Sequence, residues 1–288
     1  MTGRFVSNRS AHPVCGRAEI VFKRTEGGTR LGHLYQRNPY RVLFPHSESG
    51  EPVTAVLVTT SGGMVGGDRL EGAIEVQAGC EALVMTQAAE KVYRSNGADC
   101  GIDLSLSAGR GARLEWLSQE CIVFDGARLR RHTRLAVQGD GEILAGELLV
   151  FGRTAMGERL RRGLIRDAWS LRRDDGPVVW RDALHMEGDL ASLLADPACF
   201  DGALAAGSVV HAGPDHLETA RTLLAETVTD GIRAAAGRIL DAGGGGVTVV
   251  RWLGDDPGFC RAAYGRFWAG YRYRVWGRPE RLPRLWNI

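Results

Sequence analysis

Leu70-Glu71-Gly72-Ala73-Ile74-Glu75-Val76-Gln77 alternates apolar with polar residues, so an extended chain would present Leu70, Ile74 and Val76 on one face. The same period of two recurs on both sides. Ile102-Asp103-Leu104-Ser105-Leu106 and Ala112-Arg113-Leu114-Glu115-Trp116-Leu117 follow it downstream, as do 129–137, 143–150, 160–171 and 178–185. Upstream, Ala18-Glu19-Ile20-Val21-Phe22-Lys23, Arg30-Leu31-Gly32-His33-Leu34-Tyr35 and Arg41-Val42-Leu43-Phe44 are cut by Gly27-Gly28, Asn38-Pro39 and Pro45. Val53 to Val58 is the most apolar short run of the first third and reads as a buried strand. Turn residues separate these runs at roughly ten-residue intervals, the rhythm of an all-β body.

Helical patterning comes late. Pro214 to Leu224 has proline early and acids in its first turn. A second helix starts near Asp256-Pro257. Phe259, Ala263, Phe267 and Tyr271 form its apolar stripe, with Arg261, Arg266, Arg272 and Arg274 more exposed. Residues 1–14 read as a flexible tail and 15–288 as one β-rich domain. The closing Pro283-Arg284-Leu285-Trp286 reads as an extended docking strand or as a segment packed by Trp286.

Composition narrows the function classes. The chain has 288 residues and 39 glycines, nearly twice the usual share, which favours many turns and hence many strands. A formal charge of +2 gives little drive toward nucleic acid or acidic lipid. The six cysteines form no C-x-x-C pair, no apolar run reaches transmembrane length, and the first residues lack a secretory apolar core. These features predict a soluble cytoplasmic protein with reduced thiols.

Ser61-Gly62-Gly63-Met64-Val65-Gly66-Gly67-Asp68 is the densest glycine stretch in the first third. No Lys follows it, as a P-loop requires, and Met64 stands where a dinucleotide fingerprint needs its second Gly. Two readings stand: a tight turn in which Asp68 caps free amides, or a carboxylate presented at the exit of a sharp reversal. Glu147 lies in Ile143-Leu144-Ala145-Gly146-Glu147-Leu148-Leu149-Val150-Phe151, where ionisation is costly unless a partner is present. It is either one half of an internal pair with Arg153 or a carboxylate lining a cavity or channel. Asp182 is a further such carboxylate or a surface acid, and Glu120 reads as a hydrogen-bonded structural acid. The histidines are scattered. Only His211 and His216 are close, with Gly213-Pro214 breaking the chain between them, which argues against a stable transition-metal site.

The glycine stretch, together with Met85-Thr86-Gln87-Ala88-Ala89-Glu90-Lys91-Val92-Tyr93-Arg94-Ser95, resembles the urease accessory protein UreD family, called UreH in some bacteria. Leu114 to Ala127, Gly146-Glu147, Gly152-Arg153-Thr154-Ala155-Met156-Gly157-Glu158 and the closing Pro283-Arg284-Leu285-Trp286 fit the same pattern in order. Two positions depart from it: Arg69 stands where an acid often follows Asp68, and Glu90 stands where Ser or Thr is common.

The resemblance implies a mainly β fold of β-helix-like layers with a few helices. It implies a scaffold without catalysis and without a tightly bound cofactor, which helps deliver Ni2+ to apo-urease. The implied partners are UreF directly and the GTPase UreG through it, with nickel passing through an internal tunnel. Asp68, Glu147 and Asp182 match family carboxylates linked to that passage. The rival reading is a carboxylate hydrolase with Glu147 and Glu158 as acid and base, which needs both in one pocket. A docking module without a metal route is the third.

Overall fold

The structure is a computed structural model that describes residues 13–240 and 245–287. The expected 1–14 tail therefore falls almost wholly outside the described residues. Strands begin with β1 (Cys15–Thr25), β2 (Gly28–Arg37), β3 (Tyr40–Leu43), β4 (Val53–Thr59), β5 (Arg69–Val76) and β6 (Glu81–Gln87). Next come β7 (Glu90–Val92), β8 (Cys100–Ala108), β9 (Arg113–Leu117), β10 (Cys121–Val123), β11 (Arg128–Val137) and β12 (Glu142–Phe151). β13 (Arg162–Arg173), β14 (Val178–Asp189), α1 (Leu190–Ala195), β15 (Ala205–Gly213) and α2 (Leu217–Thr227) follow. The described chain closes with β16 (Ile232–Leu240), β17 (Gly246–Gly254) and α3 (Pro257–Trp276).

These strands form two sheets. The first runs β14-β13-β11-β8-β5-β1-β2, and the second runs β16-β17-β15-β12-β9-β6-β4-β3 with β10 and β7 attached beside β12. From β4 to β13 the chain passes back and forth between the sheets. Each arrival pairs parallel to an earlier strand of the same sheet: β5 with β8, β8 with β11, β11 with β13, and likewise β4 with β6, β6 with β9, β9 with β12. The result is a mainly β, solenoid-like stack with 3 α-helices among the described residues.

Alternation decides what each face meets. In β5, Leu70, Gly72, Ile74 and Val76 are buried and the residues between them are exposed. β12 is buried at every position, because the first sheet covers one face and the helices cover the other. Ile143, Ala145, Leu149 and Phe151 belong to the inter-sheet core, whereas Leu144, Leu148 and Val150 belong to the helix-side core. By the period of two, Glu147 faces the other sheet and Glu142 faces the helices.

α3 starts because the Asp256 carboxylate accepts from Phe259 N at 2.9 Å and Pro257 occupies the first turn. It stops at Gly277, which has φ 64°. Tyr264, Phe267, Trp268 and Tyr271 bury its face against the second sheet. Two sequence expectations for this helix fail. Phe259 is 65% exposed, because four-residue steps drift around the helix and fully buried Cys260 takes the inward position of that turn. Arg272 is fully buried, because Glu115 and Glu51 meet its guanidinium at 2.9 and 2.8 Å. Paired carboxylates make burial of that charge tolerable. The chain end folds back on α3. Trp286 is buried and stacks on Tyr264, with the Arg261 guanidinium 4.7 Å above its ring. The short helix α1, capped by the Asp189 carboxylate, had no counterpart in the sequence reading.

Candidate functional site

The inter-sheet core is apolar except at one level. Registers place Leu70, Ile102, Arg131 and Asp167 side by side across β5, β8, β11 and β13. The first two continue the oily ladder, and the last two replace it with an ion pair. Arg131 Nε and Nη2 donate to the two Asp167 oxygens at 2.9 and 2.7 Å. Glu147 reaches this pair from the opposite sheet. Thr133 Oγ1 donates to Glu147 Oε1 at 2.7 Å, and Arg131 makes an ion-pair contact with Glu147 Oε2. The Arg131 Nε–H points to Asp167, however, so Glu147 Oε2 has no hydrogen-bond partner among the described residues.

One guanidinium thus faces two carboxyl groups in a low-dielectric core. If both ionised, the cluster would carry an excess negative charge, which burial disfavours. Burial raises the Glu147 carboxyl to about 7, against the pull of Arg131 and with the help of Asp167.

Two cavities meet here. One of about 500 Å³ is lined by Glu147, Asp167, Asp182, Trp169 and Arg251. The other, of about 160 Å³, lies under the glycine loop and is lined by Gly62, Gly63, Glu90, Lys91, Arg131 and Glu147. Glu147 borders both. Arg131 borders only the second and Asp167 only the first. Within the second cavity, burial raises the Glu90 carboxyl, opposed by the hydrogen bond from Thr59 Oγ1 at 2.7 Å.

The structure brings Glu147 and Asp182 to the same cavity. Asp182 sits at its rim on β14, where it pairs across the sheets with Arg251 of β17. Asp68 is elsewhere. Its two carboxylate oxygens accept from Val14 N at 2.8 Å and Val65 N at 2.9 Å, so it fastens the glycine loop to the strand entry. It lines neither cavity. The loop itself borders the second cavity. Met64 N donates to Lys91 O at 2.7 Å, and a Cβ at Gly63 would lie 2.6 Å from that same oxygen. Only glycine permits such an approach, and at φ +144° it also supplies the backbone shape.

Arg153 is not the partner of Glu147. It pairs with Glu158 at 2.8 Å and lies over the Phe124 ring. The turn after β12 carries Arg153 away from the core, and Arg131 takes its place. Glu158 lines neither of the two cavities that Glu147 borders and is paired with Arg153 instead, so these two carboxylates do not face one of them together. Glu120 is a paired structural acid, 3.0 Å from Arg261 Nε. Arg131 and Asp167 are not among the candidates named from the sequence, although each stands on the apolar phase of its strand: Leu129, Arg131, Thr133, Leu135 in one and Ile165, Asp167, Trp169, Leu171 in the other. That phase was the available signal.

Comparison with known proteins identifies the family. The family described as UreD urease accessory protein matches residues 14–287. Urease accessory protein UreD of Magnetococcus marinus is 45% identical over 280 residues, covering 96% of this chain and 94% of that protein. The UreD of a Methylobacterium species is 40% identical over 270 residues, covering 91% and 90%. That of Agrobacterium fabrum is 38% identical over 277 residues, covering 95% and 91%. No helix among the described residues is long and apolar enough to cross a membrane. With a match over nearly the whole length and a β-solenoid body behind it, the chain belongs to the UreD family of urease accessory proteins.

Proposed function

We propose that this chain serves urease maturation as a cytoplasmic scaffold without turnover of its own, passing Ni2+ toward apo-urease through the space between its sheets. It acts with UreF, which binds it directly, and with UreG, which UreF recruits and which supplies GTP hydrolysis. The observation that carries the reading is Glu147, a buried carboxylate that borders both inter-sheet cavities and keeps one oxygen without a hydrogen-bond partner among the described residues.

The donor chemistry suits a cargo in transit. Carboxylates bind Ni2+ less firmly than imidazole or thiolate sets, so an ion held by one or two of them can leave again. Glu90 in the smaller cavity, Glu147 at the junction and Asp182 at the outer rim supply spaced oxygen donors. Arg131 occupies Glu147 as a tethered cation, and an arriving ion displaces that contact while Asp167 keeps the guanidinium paired. Asp68 contributes by holding the loop above the smaller cavity.

The test is co-expression with urease and its accessory proteins, followed by affinity recovery of the complex and metal analysis of the urease. Glu147→Ala is expected to assemble with UreF and urease yet leave the urease nickel-poor. Full nickel occupancy with Glu147→Ala would overturn the route, and failure to recover either partner with the unsubstituted chain would overturn the scaffold.

A further inference from the structure

The sequence separates His211 and His216 by a Gly-Pro break, but the fold closes that gap. His211 is buried at the end of β15, and His216, just before α2, turns back over it with ring centroids 5.3 Å apart. Glu142, at the start of β12, completes the group. Ligand atoms of Glu142, His211 and His216 all lie within 4.8 Å of one another. His211 Nε2 is 3.1 Å from Glu142 Oε2, and His211 Nδ1 is 3.0 Å from Tyr271 Oη. Trp276 Nε1 donates to Glu142 Oε2 at 2.9 Å, and Arg113 Nε reaches Oε1 at 3.3 Å.

We propose that Glu142, His211 and His216 form a site for one divalent transition-metal ion of borderline softness, such as Zn2+ or Ni2+, on the helix side of the second sheet. Two imidazoles and a carboxylate are a donor set such ions accept, with water completing the shell. The site faces away from the inter-sheet cavities and does not rest on the nickel route.

Three features support it. His216 is only half-buried, and neither of its ring nitrogens has a hydrogen-bond partner among the described residues, so it gives an ion both an entry and a vacant lone pair. Tyr271 Oη is placed to accept from His211 Nδ1. When His211 shifts its proton to Nδ1, its Nε2 lone pair is released and the hydrogen bond to Tyr271 Oη orients the ring for a metal ion. Gly213 leaves the space: a Cβ there would lie 2.8 Å from His211 Nε2 and 3.2 Å from Glu142 Oε2.

Tetrahedral coordination needs donors roughly 3.3–3.5 Å apart, so His216 closes inward by about 1 Å on binding. The ion replaces the proton between His211 and Glu142. Arg113 at the far oxygen opposes a second positive charge, so the site is expected to release its ion to strong chelators.

The test is titration of the purified, metal-stripped chain with Zn2+ by calorimetry and with Co2+ by visible absorption, which reports imidazole and carboxylate ligation directly. One equivalent is expected to bind. His216→Ala, at a half-exposed position, is expected to weaken binding by at least about tenfold, whereas Glu71→Gln, at an exposed position on β5, should leave it unchanged. A His216→Ala titration that superimposes on that of the unsubstituted chain would mean a hydrogen-bonded network only and would overturn the site. Loss of the signal in Glu147→Gln instead would assign the ion to the inter-sheet cluster and overturn it equally.

Discussion

Arg131 directs both of its core hydrogen bonds at Asp167, its neighbour on β13, and touches Glu147 only as an ion pair from across the sheets. The guanidinium is therefore anchored within one sheet, and the carboxylate of the other sheet is the member left to exchange partners. Its raised carboxyl and its oxygen that keeps an ion-pair contact but no hydrogen bond among the described residues follow from that inequality.

Stability should depend on pH through Glu147. Its ordinary value of 4.5 becomes about 7 in the fold. Below 4.5 both folded and unfolded chains hold the proton. Between 4.5 and 7 only the folded chain keeps it, so stability falls as pH rises through this window and levels off above it. Thermal melts from pH 4.5 to 8 should show this fall in the native chain. Glu147→Gln, which imitates the protonated form, should show a smaller one. Parallel curves for the two would refute a raised Glu147.

Arg131→Met removes the only guanidinium of the cluster and leaves Glu147 and Asp167 buried without a counter-charge. The expected loss is roughly 3–5 kcal/mol by urea unfolding. Adding Asp167→Asn and Glu147→Gln to Arg131→Met should restore most of it, since the stranded charges are then gone. If Arg131→Met alone is neutral, the core is not sealed at this level.

Asp68→Ala strips the acceptors from the amides of Val14 and Val65. A cost of about 1–3 kcal/mol is expected, with faster hydrogen exchange at Val65 and its loop neighbours. Wild-type exchange in this loop would show that Asp68 does not hold it.

Trp286→Ala takes a buried indole from beneath Arg261 and beside Tyr264. It should destabilise by roughly 3–5 kcal/mol and quench the contribution of a buried Trp to the fluorescence. An unchanged urea midpoint would mean that the chain end is not part of the helix-side core.

Much of the body was legible in one dimension. Leu70, Ile74 and Val76 repeat at the strand period, and a strand exposes its alternation directly, so the β class and most strand positions follow from local order. The layered form came from family resemblance, because which strand pairs with which is a long-range choice that periodicity does not encode. Glu147 could be singled out, since a carboxylate in an apolar run demands compensation wherever the run ends up. Its partner could not. Arg153 is near in sequence, but the turn after β12 points it outward, and Arg131 arrives from the other sheet.

The chain by itself determined where most strands up to β14 run and break and that Glu147 must be satisfied, because those depend on neighbours two to four residues away, whereas β15, β16 and β17 were not read from it. Only the tertiary structure decided that Glu147, Arg131 and Asp167 converge, that Asp68 is taken up by two amides, that Arg272 is buried and that His211 meets His216 and Glu142. Each of those depends on side chains delivered from separate coils of the stack, and their meeting is set by the register between strands and by what packs on each face.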